Sequence, residues 1–375
     1  MKVGDTLILK KPDVTMFFAS LAHDMRLIAP KRRFAGDVIF DVVESPREIE
    51  WDYGHDIYPP KRFLLPHYED MFRYEANGGV RFQDLGEAPK QAIIGIRSCD
   101  VKAIRFQEKF FSSQITDPYY KARADNTVLF SLVCNKPPKQ ECFCICTDSG
   151  PYLDAGFDVE LTDLGGAYLY RIGSEKGLSA TEPGAHMLES AQPEAFAERK
   201  RIELAADLLF KTEAYFAKAV MFISNNDVPD EVWEELGSTC FRCAACTNLC
   251  PVCTCYTVDD RPDGDGAFVR CRSWDSCQFA GFTREASEHN PRSTFGSRVQ
   301  RRFYHKASYQ YIMRDGTHGC VGCGRCVSAC LTKLDVPSVL KRIRRSMHEY
   351  LEPAVGRSEQ TWASDSRSSA AEALE

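Results

Sequence analysis

The chain has 375 residues, 44 % of them hydrophobic and 27 % charged, and a net charge of −6 with a pI near 5.9. That balance is globular and argues against general binding to nucleic acid or anionic membranes. No apolar run approaches the roughly 18 residues of a membrane span. MKVGDTLILKKPDVTMFF has neither a long apolar core nor a small-residue cleavage site, so a cytoplasmic protein is expected. Its 17 cysteines then point away from a disulfide framework and toward thiols that hold metal or do redox chemistry.

Residues 1 to about 190 read as a mixed α/β domain. LILKKPDVTMFFASLAHDM predicts a strand or turn entering a helix, with Phe17, Leu21 and Met25 at four-residue spacing. The segment from Ile57 to Tyr74 is Pro-interrupted and then helical in pattern. QAIIGIRSCD is an apolar run leading into the helical VKAIRFQEKFF, and NTVLFSLVCN is a second apolar run. Two short strands are expected around Gly165 and Gly166. Strand, helix, strand in that order predicts a parallel βαβ unit. Residues 193–224 read as one long amphipathic helical stretch, so 191–229 is a helical bridge. A cysteine-rich, α-helical, ferredoxin-like domain is expected over 230–347, and the small, polar residues 348–375 read as a disordered tail.

The cysteines are clustered: five lie between Cys99 and Cys146, eight between Cys240 and Cys277, and four between Cys320 and Cys330. CFRCAACTNLCP places Cys240, Cys243, Cys246 and Cys250 at the C-x2-C-x2-C-x3-C-P spacing of a bacterial ferredoxin run. CVGCGRCVSACL repeats it with Cys320, Cys323, Cys326 and Cys330, but Leu331 replaces the proline. Three thiolates on a tight loop wrap one [4Fe–4S] cube, and the fourth, a helical turn on, projects away from it. The spacing therefore predicts crossed ligation: Cys240, Cys243, Cys246 and Cys330 on one cluster, Cys320, Cys323, Cys326 and Cys250 on the other. Gly322 and Gly324 are expected to let the second loop turn close to the sulfides. Zinc sites favour separated C-x2-C pairs, and the C-x-x-C-H of a c-type haem is absent.

About 70 residues separate the runs and carry Cys253, Cys255, Cys271 and Cys277. Cys253 and Cys255 sit within reach of the first run as outer-sphere thiols, ligands of an extra cluster, or buried small hydrophobes. Asp263 and Asp265 lie in a Gly-rich turn without the full EF-hand pattern, so a solvated turn is expected. A basic island of Arg292, Arg298, Arg301, Arg302, His305 and Lys306 offsets cluster charge, docks an acidic redox partner, or is a solvated helix face.

Cys99 and Cys134 each end an apolar run; parallel strands would bring both to one carboxyl edge, where open α/β sheets place ligands. Cys142, Cys144 and Cys146 follow on the next loop. Four such thiols suffice for a third Fe–S cluster; buried unliganded cysteines or a thiol redox pair are the other readings. No GxGxxG, Walker A or Ser/His/Asp arrangement is present, and the eight histidines are scattered.

ILKKPDV, PPKRFLLP, GIRSCDVKAI, DPYYKAR, CFC, CPVCTCY, RSWDSC, the HNPR-to-YHK stretch and GCVGCGRC together resemble one family over nearly the whole chain to about residue 345. It is the iron–sulfur subunit of cytoplasmic anaerobic redox complexes: the beta subunit of NAD(P)-linked [NiFe] hydrogenases (sulfhydrogenases) and the corresponding iron–sulfur subunit of anaerobic sulfite reductase. The resemblance implies at least two [4Fe–4S] clusters that carry electrons between a flavin/NAD(P)-binding, diaphorase-type subunit and a catalytic subunit. A hydrogenase is the first expectation for that catalytic subunit and a sulfite reductase the second, with no substrate site in this chain. The family's cysteines map onto Cys99, Cys134, Cys142 and Cys144 as a third cluster site, onto both ferredoxin runs, and onto Cys253, Cys255 and Cys277 without a clear role. Cys146 and Cys271 look like extras. The alternatives from other classes are a self-contained iron–sulfur reductase and a zinc-stabilised interaction protein.

Overall fold

The computed structural model describes residues 1–54, 58–75, 81–264 and 266–347. The chain opens with β1 (Thr6–Lys10), α1 (Val14–Leu21), β2 (Arg26–Arg32) and β3 (Val38–Val42). β4 (Tyr68–Glu75), β5 (Arg81–Asp84), β6 (Gln91–Arg97), α2 (Ser98–Ser112), α3 (Pro118–Asp125) and β7 (Thr127–Leu132) follow. Then come β8 (Val159–Asp163), β9 (Ala167–Ile172), α4 (Glu175–Thr181) and β10 (Leu188–Ser190).

Eight of these strands form one sheet in the order β10-β1-β9-β8-β7-β6-β2-β3. Its centre, β2-β6-β7-β8, is parallel, and β6, α2, α3 and β7 make the expected βαβ unit. Strands β6 and β7 are buried along their whole length, because helices and loops cover both faces. Alternate residues serve the two sides. Ile94 and Phe130 pack with Phe17 and Phe18 of α1, while Ile93 and Leu129 pack with Ile104, Phe111 and Tyr120 of α2 and α3. Phe17 and Leu21 are buried as their spacing predicts; Met25 lies beyond the helix and is partly buried. The two strands around Gly165 and Gly166 are β8 and β9.

Two expectations fail for the same reason. The Ile57–Tyr74 pattern yields a 3-10 turn, Pro60–Phe63, and then a strand rather than a helix; Ile57 itself lies outside the described residues. The partner that decides this is about 200 residues away. β11 (Tyr256–Pro262) and β12 (Ala267–Trp274) form a hairpin, and β12 pairs antiparallel with β4, Tyr74 stacking on Phe268 at 5.6 Å. The second sheet, β11-β12-β4-β5, thus joins the segment between the two cysteine runs to the N-terminal half. Arg272, buried in β12, is hydrogen-bonded to Glu69 of β4 and Asp117 at the start of α3. Asp263, in the hairpin turn, pairs with Arg73 at 2.9 Å; Asp265 lies outside the described residues.

The 193–224 stretch is not one helix either. It divides into α5 (Pro193–Asp207) and α6 (Phe216–Asn225). The intervening chain crosses the 140–146 loop, Thr212 Oγ1 donating to Gln140 O at 2.6 Å and Ala214 N to Cys146 Sγ at 3.5 Å. Both bonds need backbone that has left the helix.

The helical part continues with α7 (Asp230–Ser238), α8 (Ala245–Asn248), α9 (Phe295–Lys306), α10 (Tyr309–Asp315), α11 (Arg325–Ala329) and a helical run over 336–347. Trp233, Phe303, Leu340 and Ile343 centre its core. The residues read as a tail, 348–375, lie outside the described residues. Among the described residues no helix is long and apolar enough to cross a membrane.

Candidate metal centre

The two ferredoxin runs fold alike. Each loop turns through left-handed backbone at two matching positions, Arg242 (φ 58°) and Ala244 (φ 60°) in the first, Gly322 (φ 60°) and Gly324 (φ 77°) in the second. Each loop feeds a short helix, α8 or α11, that carries the third cysteine and throws the fourth past its end. The two helices pack on each other. The turn after Cys330 forms without a proline, and Leu331 is left 82 % exposed.

That packing sends each fourth thiol to the other run. Cys240, Cys243, Cys246 and Cys330 line one cavity of about 110 Å3. Cys320, Cys323 and Cys326 each feel the charge of Cys250. Burial pushes the Cys323 thiol up to about 12, against the pull of Arg325, and Cys326 up to about 11, against Arg302. Thiols so disfavoured as free thiolates lose their protons when a metal takes the proton's place. Backbone N–H groups already point at the sulfurs: Gly322 N at Cys320 Sγ (3.5 Å), Arg242 N at Cys240 Sγ (3.4 Å) and Leu334 N at Cys330 Sγ (3.2 Å). Among the described residues no group of three or more His, Cys, Asp or Glu side chains gathers at single-ion spacing; a cubane spreads its thiolates around a cage instead.

The sheet edge builds another set. Cys99 stands in the first turn of α2 just beyond β6, Cys134 two residues beyond β7, and Cys142 and Cys144 on the loop that follows; all four are buried. Cys144 faces Cys134 and Cys142, and Cys99 faces Cys144, so the four converge from three segments. Cys323 borders Cys99, Cys142 and Cys144 as well. Gly322 and Gly324 explain this contact, because both also approach the 141–144 loop closely. A Cβ on Gly322 would meet Phe143 O at 2.5 Å, and one on Gly324 would meet Glu141 O at 2.6 Å. Phe143 N donates to Gly322 O at 2.8 Å. Beside this junction, Arg325 donates bidentately to Asp100 at 2.7 and 2.8 Å, both residues buried.

Cys253, Cys255 and Cys277 form a trail between the sets. Cys253 is in contact with Cys250, Cys255 with Cys277, and Cys277 borders Cys246. The hydrogen bond from Cys255 holds the Cys277 thiol down, to about 6. Cys146 and Cys271 stand apart, the first accepting from Ala214 N and the second donating to Asp259 O at 3.4 Å.

The basic island is not a solvated face. α9 turns Arg298, Arg302 and Lys306 inward at four-residue spacing. Arg298 Nη1 donates to Arg292 O and Ser293 O (2.8 Å each), and Arg302 Nη1 to Leu334 O (2.8 Å). Lys306 Nζ donates to Cys250 Sγ (3.2 Å) and Cys253 Sγ (3.4 Å). Two further residues escaped the sequence reading. Lys61, buried over the Trp274 ring at 4.2 Å, donates to Cys250 O (2.8 Å) and Cys253 O (2.7 Å), and burial lowers it to about 8. Gln107 of α2 donates to Pro251 O at 2.9 Å. Lysine between a diproline and an apolar run, in PPKRFLLP, was the available signal for the first.

Residues 239–334 match the model of a 4Fe-4S dicluster domain, which implies two [4Fe–4S] clusters. Sulfhydrogenase 2 subunit beta of Pyrococcus furiosus is 29 % identical over 331 residues, 88 % of this chain and 96 % of that relative. No solved structure matches the chain. The polypeptide is therefore an iron–sulfur protein homologous to that beta subunit along most of its length, with a 4Fe-4S dicluster domain in its helical part.

Proposed function

We propose that this chain is the electron-transfer subunit of a cytoplasmic, multi-subunit oxidoreductase, relaying single electrons between a flavin/NAD(P)-binding subunit and a catalytic [NiFe] hydrogenase subunit. The observation that carries the reading is the crossing of the two runs: Cys330 lines a cavity with Cys240, Cys243 and Cys246, and Cys250 faces Cys320, Cys323 and Cys326. When bound, clusters at these two sets and a third at Cys99, Cys134, Cys142 and Cys144 supply one-electron carriers whose potentials follow charge, hydrogen bonding to sulfur and exposure.

The chain's own residues support that role. Cys323 borders the sheet-edge set, so the three sets adjoin in series. The Cys243 end is exposed, with Phe241 67 % and Leu331 82 % exposed beside it, an arrangement suited to a protein partner. The relative's printed name supports the hydrogenase over the sulfite reductase. In this reading 1–190 is the α/β domain, 191–229 the bridge and 230–347 the dicluster domain.

Anaerobic purification with iron, sulfide and zinc assay tests it. Two cubanes predict about eight iron per chain and three about twelve, with an EPR signal on reduction. Zinc without acid-labile sulfide overturns the reading, and substrate turnover by the isolated chain favours a self-contained reductase. Co-purification with a [NiFe] large subunit or with a sirohaem protein separates the two complexes.

A further inference from the structure

Two buried cations lie in the wall between the thiol sets, and neither has a carboxylate partner among the described residues. Lys306 is 3 % exposed, and its hydrogen bonds go to Cys250 Sγ and Cys253 Sγ. Arg302 is 4 % exposed, donates to Leu334 O and leaves its buried Nε without a partner. A buried charge without a counter-charge is strongly unfavourable, so each depends on the sulfur-borne negative charge beside it, no carboxylate among the described residues supplying one. Arg325 makes the contrast. It is equally buried and close to Cys99 and Cys323, yet Asp100 neutralises it.

We infer, on the iron–sulfur reading above, that Lys306 and Arg302 raise the reduction potential of the cluster held by Cys250, Cys320, Cys323 and Cys326. Reduction adds one negative charge to an already anionic thiolate-ligated unit. A full positive charge bonded to a ligand sulfur favours that added charge, and the low-dielectric surroundings leave the attraction little screened. Lys306 borders Cys320 as well as Cys250, so its charge falls on this cluster. Arg302 borders both Cys246 and Cys326, so its charge is shared with the solvent-facing cluster. The sheet-edge set has a buried cation of its own, Arg97, which borders Cys99 and Cys134 beside the neutral Arg325–Asp100 pair, so the inference concerns the Cys250 cluster alone.

The test is an EPR-monitored redox titration of the anaerobic full-length holoprotein, with iron counted in every sample. In Lys306→Met, one signal's midpoint moves negative, so that at the wild-type midpoint the reduced-to-oxidised ratio falls about tenfold, equivalent to about 59 mV for one electron. Lys306→Arg keeps the charge and the wild-type midpoint. Arg302→Gln moves two signals in the same direction. The proposal is overturned if Lys306→Met and Arg302→Gln load wild-type iron and leave every midpoint in place, or if Lys306→Arg shifts as far as Lys306→Met. Should Lys306→Met fail to load iron, an unmoved Arg302→Gln overturns it alone. Wild-type protein without iron and sulfide overturns the iron–sulfur reading itself; unmoved midpoints in loaded variants overturn only the charge proposal.

Discussion

Cys144 occupies the space a side chain on Gly322 would need: a Cβ at Gly322 would come within 2.6 Å of the Cys144 Cα. The second ferredoxin run and the sheet-edge thiols therefore share one backbone contact, and a change in either is felt by both. The first run has the same left-handed turn but carries Arg242 and Ala244 at the matching positions.

Gly322→Ala is expected to cost roughly 2–4 kcal/mol, from overpacking against fixed backbone together with an unfavourable positive φ. At the matching position of the first run, Arg242→Gly should stay within about 1 kcal/mol. Anaerobic urea denaturation of the two variants measures the difference, and equal costs would rule out close approach as the cause.

The crossed arrangement makes a pairing prediction. Cys330→Ser should abolish the same EPR signal as Cys243→Ser, and Cys250→Ser the same signal as Cys323→Ser, each with about four fewer iron atoms per chain. If Cys330→Ser instead silences the Cys323 signal, ligation runs within each run and the crossing is wrong.

Asp100 and Arg325 form a buried bidentate pair between the start of α2 and α11. Asp100→Ala should destabilise by about 3–5 kcal/mol, since it leaves a buried guanidinium uncompensated. Adding Arg325→Met should recover most of that loss. Denaturation midpoints of the single and double variants decide it, and additive losses would count against charge pairing.

Removal of iron should invert the effect of Lys306. With clusters bound, Lys306→Met loses an attraction. Without them, the anion facing the buried ammonium is the Cys250 thiolate, which Cys253 and Lys306 hold well below the usual thiol range. Lys306→Met removes that desolvated pair and should be the more stable apoprotein by about 1–4 kcal/mol. Paired denaturation curves, loaded and after anaerobic chelation, read the sign directly.

Much of the chain was legible from the residues alone. The βαβ unit from Gln91 to Leu132 follows from two apolar runs flanking a helical pattern. The two ferredoxin runs are legible because three-residue intervals between cysteines restrict what a short loop can do with its thiols. Both are local: a hydrophobic period or a ligand spacing acts over a turn or two of chain, and neighbours in sequence carry it.

The tertiary structure decided what depends on distant partners. Tyr68–Glu75 is a strand because β12 pairs with it, and 193–224 breaks because Thr212 and Ala214 reach back to the 140–146 loop. Arg302 and Lys306 read in sequence as charge on a helix, and the sequence does not say which face of α9 is inside. The fold turns them onto Cys250 and its neighbours. Spacing alone shows that four thiols can serve one cluster. Which four meet, and which cations meet them, is set by long-range packing, because burial removes the water that would otherwise make their neighbours irrelevant.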